Sequence, residues 1–521
     1  MSKSIFAAIL FVFFGAHHSI VSSVSKPGPE NVTAPEISQK REFRGVWLTT
    51  VANIDWPSKT GLSSDMQKQE MLAILDAHQR SGINAIMFQV RPSADAFYAK
   101  GTEVWSRWLS GEQGRAPYPF YDPLEFAITE AHKRGMELHA WFNPYRAAYS
   151  LNDKVHPEHI SRQKPEWFFN YAGKKLFNPG LPEVRSYIVQ IVMNVVRKYD
   201  IDGVHFDDYF YPGLEGGRAI PDTESYTLYG RDYKNIKEWR LSNVDALIHT
   251  LSDSIRNAKR HVKFGISPFG IWKNKSQDPE GSLTNGGSSY LEMYADTRKW
   301  LQRGWIDYIN PQIYWPFQHR LAAFENLLDW WSNNTYGKHL YIGQAAYRSM
   351  ENVQGFKNKN ELPNQLRALR NNTRVQGSVY FSSKSLTKNL AGFQDSLIND
   401  FYRYPALPPQ MLWKDDIAPH APLQLQAYLR SPGGVQLSWN EPFKARDGET
   451  AYGYVVYRFN TGEEMNLGDA SRILKISFDN SQRSYIDNTA KKGISYQYMV
   501  TAIDRMKNES LPSNAILVAL Q

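Results

Sequence analysis

The stretch Glu183-Val-Arg-Ser-Tyr-Ile-Val-Gln-Ile-Val-Met-Asn-Val-Val-Arg-Lys-Tyr199 runs almost directly into Asp202-Gly-Val-His-Phe-Asp207-Asp208-Tyr209-Phe-Tyr-Pro212. In its first half Val184, Tyr187, Ile188, Ile191, Val192, Val195 and Val196 recur at three- and four-residue steps, the stripe of a helix that lies on a sheet. In its second half Gly203–Phe206 reads as a short strand. Side chains alternate along a strand, so His205 and Asp207 share one face and Phe206 the other. The unit is a helix followed by a strand that ends on two carboxyls.

Outward from this unit the same alternation recurs between Arg41 and Tyr404. Strands are expected at Gly45–Thr50, Ala85–Val90, Glu137–Phe142, Gly203–Phe206, Lys263–Ser267, Tyr308–Pro311, Leu340–Gln344 and Ser378–Phe381. Helical periodicity covers Met66–Arg80, Leu124–Arg134, Glu183–Tyr199, Val244–Lys259, Tyr290–Arg303, Leu321–Trp331 and Leu362–Leu369. Several helices stop at a glycine (Gly82, Gly135, Gly304), the residue that takes a left-handed cap without strain. Eight strand–helix repeats over roughly 360 residues predict an α/β fold, a (β/α)8 barrel over residues 41–403. A doubly wound sheet would want a Gly-rich phosphate turn after its first strand, and none is present.

The barrel stands within a chain of 521 residues carrying 60 Lys+Arg against 52 Asp+Glu, long enough for two or three domains. A hydrophobic fraction of 42% excludes a disordered chain. The absence of cysteine excludes disulfides, thiolate metal sites and a cysteine nucleophile. A formal charge of +8 without a long basic run gives no case for nucleic acid. Residues 1–23, with Lys3 ahead of the apolar run Ile5–Ala16 and small residues after it, read as a secretory signal. Residues 24–40 read as a flexible leader, and no other stretch is long and apolar enough for a span. Export to a bacterial periplasm or cell surface is the expectation. Five prolines in residues 404–422 predict a stiff extended linker. Alternating runs at Val435–Trp439, Tyr454–Tyr457 and Tyr496–Ala502 then predict a β-sandwich over 423–521 that resembles a fibronectin type III module. Such modules space or dock, so no chemistry is assigned to it.

In a (β/α)8 barrel, function gathers at the carboxyl ends of the strands. Those ends carry Trp47, Arg91, Trp141, Asn143, Asp207, Asp208, Ser267, Gln312 and Gln344. The loops beyond add rings at Trp56, Trp105, Trp108, Tyr145, Tyr209, Trp272, Tyr314 and Trp315. Polar groups ringed by aromatics suit a sugar, whose hydroxyls need directed hydrogen bonds and whose C–H faces pack on rings. Of these, Trp47, Arg91, Trp105, Trp141, Asn143, Tyr145, Tyr209, Trp272, Gln312, Tyr314, Trp315 and Gln344, with Asp95, Arg146 and His205, make up the candidate substrate-binding set. Adjacent carboxylates at a partly desolvated mouth resist joint ionisation, so one should keep the proton a general acid needs. Asp207 and Asp208 are the first catalytic candidates. Glycoside hydrolysis generally uses two carboxyls, and Glu103, in Thr102-Glu-Val-Trp-Ser-Arg-Trp-Leu109, is the preferred second group. Asp55, Asp95 and Glu215 are the other partners in range. The seventh strand ends in Gln344, so a glutamate pair on strands four and seven is absent. A sugar bearing a 2-acetamido group offers another route, its own carbonyl attacking while a carboxylate orients it. His139 and His205 with Asp207 also raise a metal-assisted hydrolase, although interior histidines more often serve as core hydrogen-bonding groups.

Several segments together resemble the bacterial glycosyl-hydrolase-like 10 family. They are Arg41-Glu-Phe-Arg-Gly-Val-Trp-Leu-Thr49, Gln89-Val-Arg-Pro-Ser-Ala-Asp95-Ala-Phe-Tyr98, His139-Ala-Trp-Phe-Asn-Pro-Tyr-Arg146 and Asp202–Pro212. Phe264-Gly-Ile-Ser-Pro-Phe-Gly-Ile-Trp272, Asp307-Tyr-Ile-Asn-Pro-Gln-Ile-Tyr-Trp315 and Tyr341-Ile-Gly-Gln344 continue the likeness. The resemblance implies a TIM barrel and a glycosidase without cofactor, with the Asp207-Asp208 pair at its centre. A divisome-associated member of that family acts on peptidoglycan strands stripped of their peptides, which implies a cell-wall glycan substrate and cell-wall or divisome partners. The competing expectation from another class is a carbohydrate-binding protein on a hydrolase scaffold, without turnover.

Overall fold

The computed structural model describes residues 39–213, 215–431 and 433–520. The signal-peptide reading and nearly all of the leader lie outside the described residues. Eight parallel strands close into a barrel: β1 (Phe43–Leu48), β2 (Ala85–Arg91), β3 (Glu137–Phe142), β4 (Gly203–Phe206), β5 (Lys263–Ile266), β6 (Tyr308–Ile309), β7 (His339–Gln344) and β8 (Gly377–Tyr380). β8 pairs with β1, Phe43 opposite Gly377 and Val46 opposite Tyr380, which completes the ring. The sequence-predicted strands reappear with their ends moved by a residue or two, because parallel buried strands are marked by continuous apolar runs. The helix Pro182–Lys198 lays Val184, Ile188, Ile191, Val192, Val195 and Val196 against the sheet, as its stripe requires.

One helical expectation divides. In place of Tyr290–Arg303 there are two short helices, Ser289–Glu292 and Thr297–Gln302. Tyr294 takes a left-handed φ of 53°, and the Asp296 carboxylate caps the second helix by accepting from Lys299 N at 3.3 Å. Local capping overrides the apolar period there. A second element went unread: Arg146–Ala148, Phe168–Tyr171 and Lys174–Phe177 form a three-stranded antiparallel sheet in the loop after β3. Its tight turn puts Ala172 and Gly173 both at positive φ, the hairpin signature that the short flanking runs concealed.

The barrel interior is filled by rings, and glycines on neighbouring strands make room for them. A Cβ on Gly265 would lie 2.0 Å from the Tyr308 ring, and one on Gly203 would lie 2.4 Å from His139. The floor is sealed by charge. Glu137 receives Lys263 Nζ at 2.6 and 2.7 Å and Lys507 Nζ at 3.1 Å, all three wholly buried. Lys507 comes from the far end of the chain.

That end is a sandwich of two antiparallel sheets, β9 (Leu423–Leu429), β10 (Val435–Asn440) and β13 (Ser484–Asp487) against β11 (Gly453–Asn460), β12 (Ile473–Ser477), β14 (Ser495–Ile503) and β15 (Ile516–Ala519). Val435, Leu437, Trp439, Tyr454, Val456, Tyr498 and Val500 form the core between them. The turn after β14, closed by the Asp504 carboxylate on Asn508 N at 2.8 Å, carries Lys507 into the barrel floor. The proline-rich stretch 404–422 lies along the barrel as a strap. Leu407 pairs with Arg41, Met411 is buried beneath the barrel interior, and Lys414 Nζ reaches Asp307 at 2.8 Å. Its apolar residues Leu407 and Met411 are buried against the barrel, which holds the segment in place.

Candidate active site

Asp207 and Asp208 follow β4 at the carboxyl end of the barrel and line a cavity of about 240 Å³. Trp47 from β1, Trp141 from β3, and Arg146, Tyr209, Gln312 and Tyr314 from the loops line it with them. Both carboxyls are buried. Asp207 Oδ2 accepts from Trp141 Nε1 at 3.1 Å, and its Oδ1 accepts from Tyr209 N at 3.4 Å. The Arg146 guanidinium lies 4.6 Å from the centre of the Tyr209 ring, close enough to bear on both aspartates.

Burial raises both acids. The Asp208 charge pushes Asp207 up further, and Arg146 with the Trp141 indole only partly offsets this. Asp208 is raised by burial too, and its own backbone N–H, the Gln312 amide and Arg146 act against the rise. Both acids being raised, the pair resists joint ionisation and shares a proton into the neutral range. Among the described residues lining this cavity they are the only carboxyls. Unpartnered hydroxyls on Thr49 and Ser267, buried but lining the same space, add groups that a ligand can satisfy.

Directly beneath the mouth, His205 is wholly buried and accepts from Trp47 Nε1 at 3.0 Å. Indole nitrogen only donates, so His205 Nε2 carries no proton and Nδ1 does. The Nδ1–H donates to the Tyr308 hydroxyl at 3.1 Å, Tyr308 donates to His139 Nδ1 at 2.9 Å, and His139 Nε2–H donates to Glu137 at 3.1 Å. All four ring nitrogens are thus engaged within the protein, which removes the metal-ligand reading of this histidine pair. His205 is a support for Trp47, not a substrate contact.

Several expected site residues lie elsewhere. Glu103 is held by Arg91 in a bidentate pair, Nε to Oε2 at 2.6 Å and Nη2 to Oε1 at 2.7 Å, and accepts from Tyr187 at 3.0 Å. That pair is buried away from the doublet, so neither Glu103 as second catalytic group nor Arg91 as sugar ligand stands. Arg91 instead fixes the mouth, donating to the Asn143 and Pro144 carbonyls at 2.7 and 3.1 Å. Trp105 lines a separate cavity with Glu103. Asp95 is buried beside Gln113, 3.1 Å from its amide, and is raised to about 7 by burial. Trp272 stacks on Trp330 at 5.7 Å in the outer core, and Trp315 lies near His319 with its ring against that core. Gln344 is buried and donates to Gln365 at 3.1 Å, so the position of the absent glutamate does not face the cleft at all. Asn143 and Tyr145 line a second cavity that shares only Arg146 and Tyr209 with the first.

Val51, Ile54, Gln89, Tyr347 and Phe381 also line the first cavity and were not anticipated. Gln89 was within reach of sequence reasoning: it opposes Trp141 in register, and its Oε1 accepts from Thr50 N and Val51 N at 3.0 and 2.9 Å. Tyr347 comes from a short 3-10 turn that no periodicity announces.

A barrel of this topology, with a proton-sharing acid pair at its mouth and rings around it, has the working parts of a TIM-barrel glycoside hydrolase. Residues 42–359 match the glycosyl hydrolase-like 10 family, and the chain belongs to that family. Glycosyl hydrolase YngK of Bacillus subtilis (strain 168) is 44% identical over 480 residues, 91% of this chain and 92% of that protein. Glycosyl hydrolase DigH of Escherichia coli (strain K12) is 40% identical over 346 residues, 63% of this chain and 78% of that protein. Among solved structures, the glycoside hydrolase domain of PgaB (BpsB) from Bordetella bronchiseptica covers 70% of this chain and 99% of its own at 12% identity, with a TM-score of 0.45. That likeness is too remote to inform the site.

Proposed function

We propose that the protein is an exported hydrolase of an acetamido-bearing cell-wall glycan, peptide-free peptidoglycan strands, and that the substrate's own acetamido group serves as nucleophile. The observation that carries the mechanism is the adjacent Asp207-Asp208 pair as the only carboxyl lining of the cavity. Two neighbouring acids cannot flank a glycosidic bond from opposite faces, but they can serve a reaction in which the sugar supplies the attacking atom.

In this reading the acetamido carbonyl oxygen attacks C1 while the C1–O bond to the leaving sugar breaks. The bonding pair goes to the leaving oxygen, which takes the Asp207 proton. Asp208, ionised, accepts the acetamido N–H proton, so the intermediate is a neutral oxazoline. Water then adds to C1, giving its proton to Asp207, as the ring C1–O bond opens and Asp208 returns the N–H proton. Two inversions leave the product with retained configuration. Arg146 beside the pair suits the lactyl carboxylate of such a strand. Export rests on the residue 1–23 reading together with the lack of cysteine, and no helix among the described residues is long and apolar enough to cross a membrane.

The test is incubation with peptide-free strands, counting new reducing ends and reading the first-formed anomer by NMR. Cleavage with retention, blocked by a thiazoline analogue of the oxazoline, is expected. Inversion would overturn the mechanism, and binding without cleavage would favour a carbohydrate-binding role.

A further inference from the structure

A second cavity of about 290 Å³ opens beside the first, on the other side of Arg146 and Tyr209. Those two side chains are stacked, so the wall between the cavities is a single layer thick. A glycan lying across the mouth therefore puts consecutive sugars over both. The second cavity is lined by the apolar Leu176, Pro212 and Met293 and by the charged Lys174, Glu215 and Glu292. Asn143 and Tyr145 line it too, both almost wholly buried, and Asn143 Nδ2 and the Tyr145 hydroxyl have no partner within the protein. Asn143 Oδ1 is already engaged, accepting from Arg146 N at 3.0 Å, so the amide is fixed with its nitrogen free to donate. Buried polar groups are rarely left unpaired, and two on one cavity wall mark a place built for a ligand.

We propose that this cavity is a subsite for the acetamido group of the sugar adjoining the cleaved bond. The proposal rests on the glycan reading above and extends it from one sugar to two. The acetamido carbonyl accepts from Asn143 Nδ2 and from the Tyr145 hydroxyl, one on each lone pair, and its methyl packs on Leu176, Pro212 and Met293. The sugar ring then rests on Tyr209, whose half-exposed face is the top of the wall. An unsubstituted hexose would leave the apolar residues uncovered and both polar atoms unsatisfied. A free amine brings no acceptor for Asn143 Nδ2 and no methyl for the apolar residues, so only the charge of Glu215 and Glu292 favours it. The subsite therefore selects acetylated over de-N-acetylated glycan.

Calorimetry on the Asp207→Asn protein, with N-acetylglucosamine oligomers of two to six units and the matching glucosamine oligomers as probes, tests this. The acetylated series should bind about 10-fold tighter, as expected where a site's polar groups are otherwise left unpaired. Leu176→Trp, which fills the cavity, should weaken binding of the acetylated oligomers by roughly 10-fold and narrow the preference. Tyr145→Phe should weaken it about 5-fold while leaving the melting temperature unchanged or higher, because a hydroxyl without a partner adds nothing to the free protein. The Tyr145 variant keeps the test intact should the tryptophan prevent folding. Equal affinity for the two oligomer series, no binding of either, or variants within two-fold of the parent overturns the subsite. Cleavage of peptide-free strands by the unaltered protein is scored separately. Strands cut without oligomer preference sink the subsite alone, whereas strands left intact sink the substrate reading.

Discussion

The mouth and the floor of the barrel bury the same kinds of group to opposite ends. On the floor every charge is answered. Burial alone would raise Glu137, but Lys263 and Lys507 outweigh it and hold it well below the usual carboxyl range. Burial would likewise raise Asp202, and His132 at 2.7 Å with Lys507 brings it down. At the mouth two buried acids resist joint ionisation, and hydroxyls and an amide nitrogen lack partners. Breaking a paired buried charge is destabilising, and so is leaving a polar group unpaired. The floor thus contributes to stability, and the mouth stores a deficit that a substrate relieves. Titratable groups of one barrel are structural at one end and reactive at the other because of what surrounds them.

The largest expected effect tests the mouth. Asp207→Asn should lower kcat on peptide-free strands by roughly 10³-fold, the scale of a lost general acid. Turnover within ten-fold of the parent would remove Asp207 from the chemistry. The floor gives the next largest. Lys507→Met should cost about 3 kcal/mol in denaturant unfolding, since Glu137 then depends on Lys263 alone, while kcat of the folded fraction stays close to that of the parent. A fall in kcat without loss of stability would refute the division of labour.

Acidity sharpens the contrast because the two ends respond with opposite sign. Asp207 and Asp208 are raised, so their contribution to stability is present below the ordinary carboxyl range and is lost as pH rises through their folded values. Glu137 and Asp202 are lowered, so theirs is present above that range and is lost as pH falls through their folded values. Asp207→Asn should therefore gain stability over the parent between pH 5 and 8, by about 2 kcal/mol, with little difference at the acid end. Melting temperatures across that window decide it, and a parallel pair of curves would contradict the raised value. The smallest effect concerns the hydrogen bond from Trp141. Its indole favours ionised Asp207, so Trp141→Phe should move the alkaline limb of the kcat profile upward by about half a pH unit. An unmoved or lowered limb would show that the Trp141 bond does not set the acidity of the pair.

How much of this was legible along the chain follows from the range of each interaction. The eight strands, the Pro182–Lys198 helix and the acidic doublet could be read because they depend on periods of two and 3.6 and on strand ends. Glu103 and Arg91 could not be placed. Both have the right chemistry for a cleft, and only their mutual bidentate contact takes them out of it. Trp272 and Trp315 failed in the same way, since a loop ring looks alike whether it faces sugar or the helix layer. The docking of the stretch 404–422 could not be read, because proline content reports stiffness and says nothing about what surface lies alongside.

The amino-acid sequence by itself determined the barrel, the end of it that bears chemistry, and the two aspartates there, since a pleat and a strand end dictate which way nearby side chains point. Tertiary structure alone decided which distant residues join them. It brought Lys507 under the barrel from the last turns of the chain, joined Trp47, His205, Tyr308, His139 and Glu137 into one hydrogen-bonded line, and set a second cavity beside the first. Those juxtapositions come from closure of the barrel and docking of the sandwich, long-range events that no local pattern encodes.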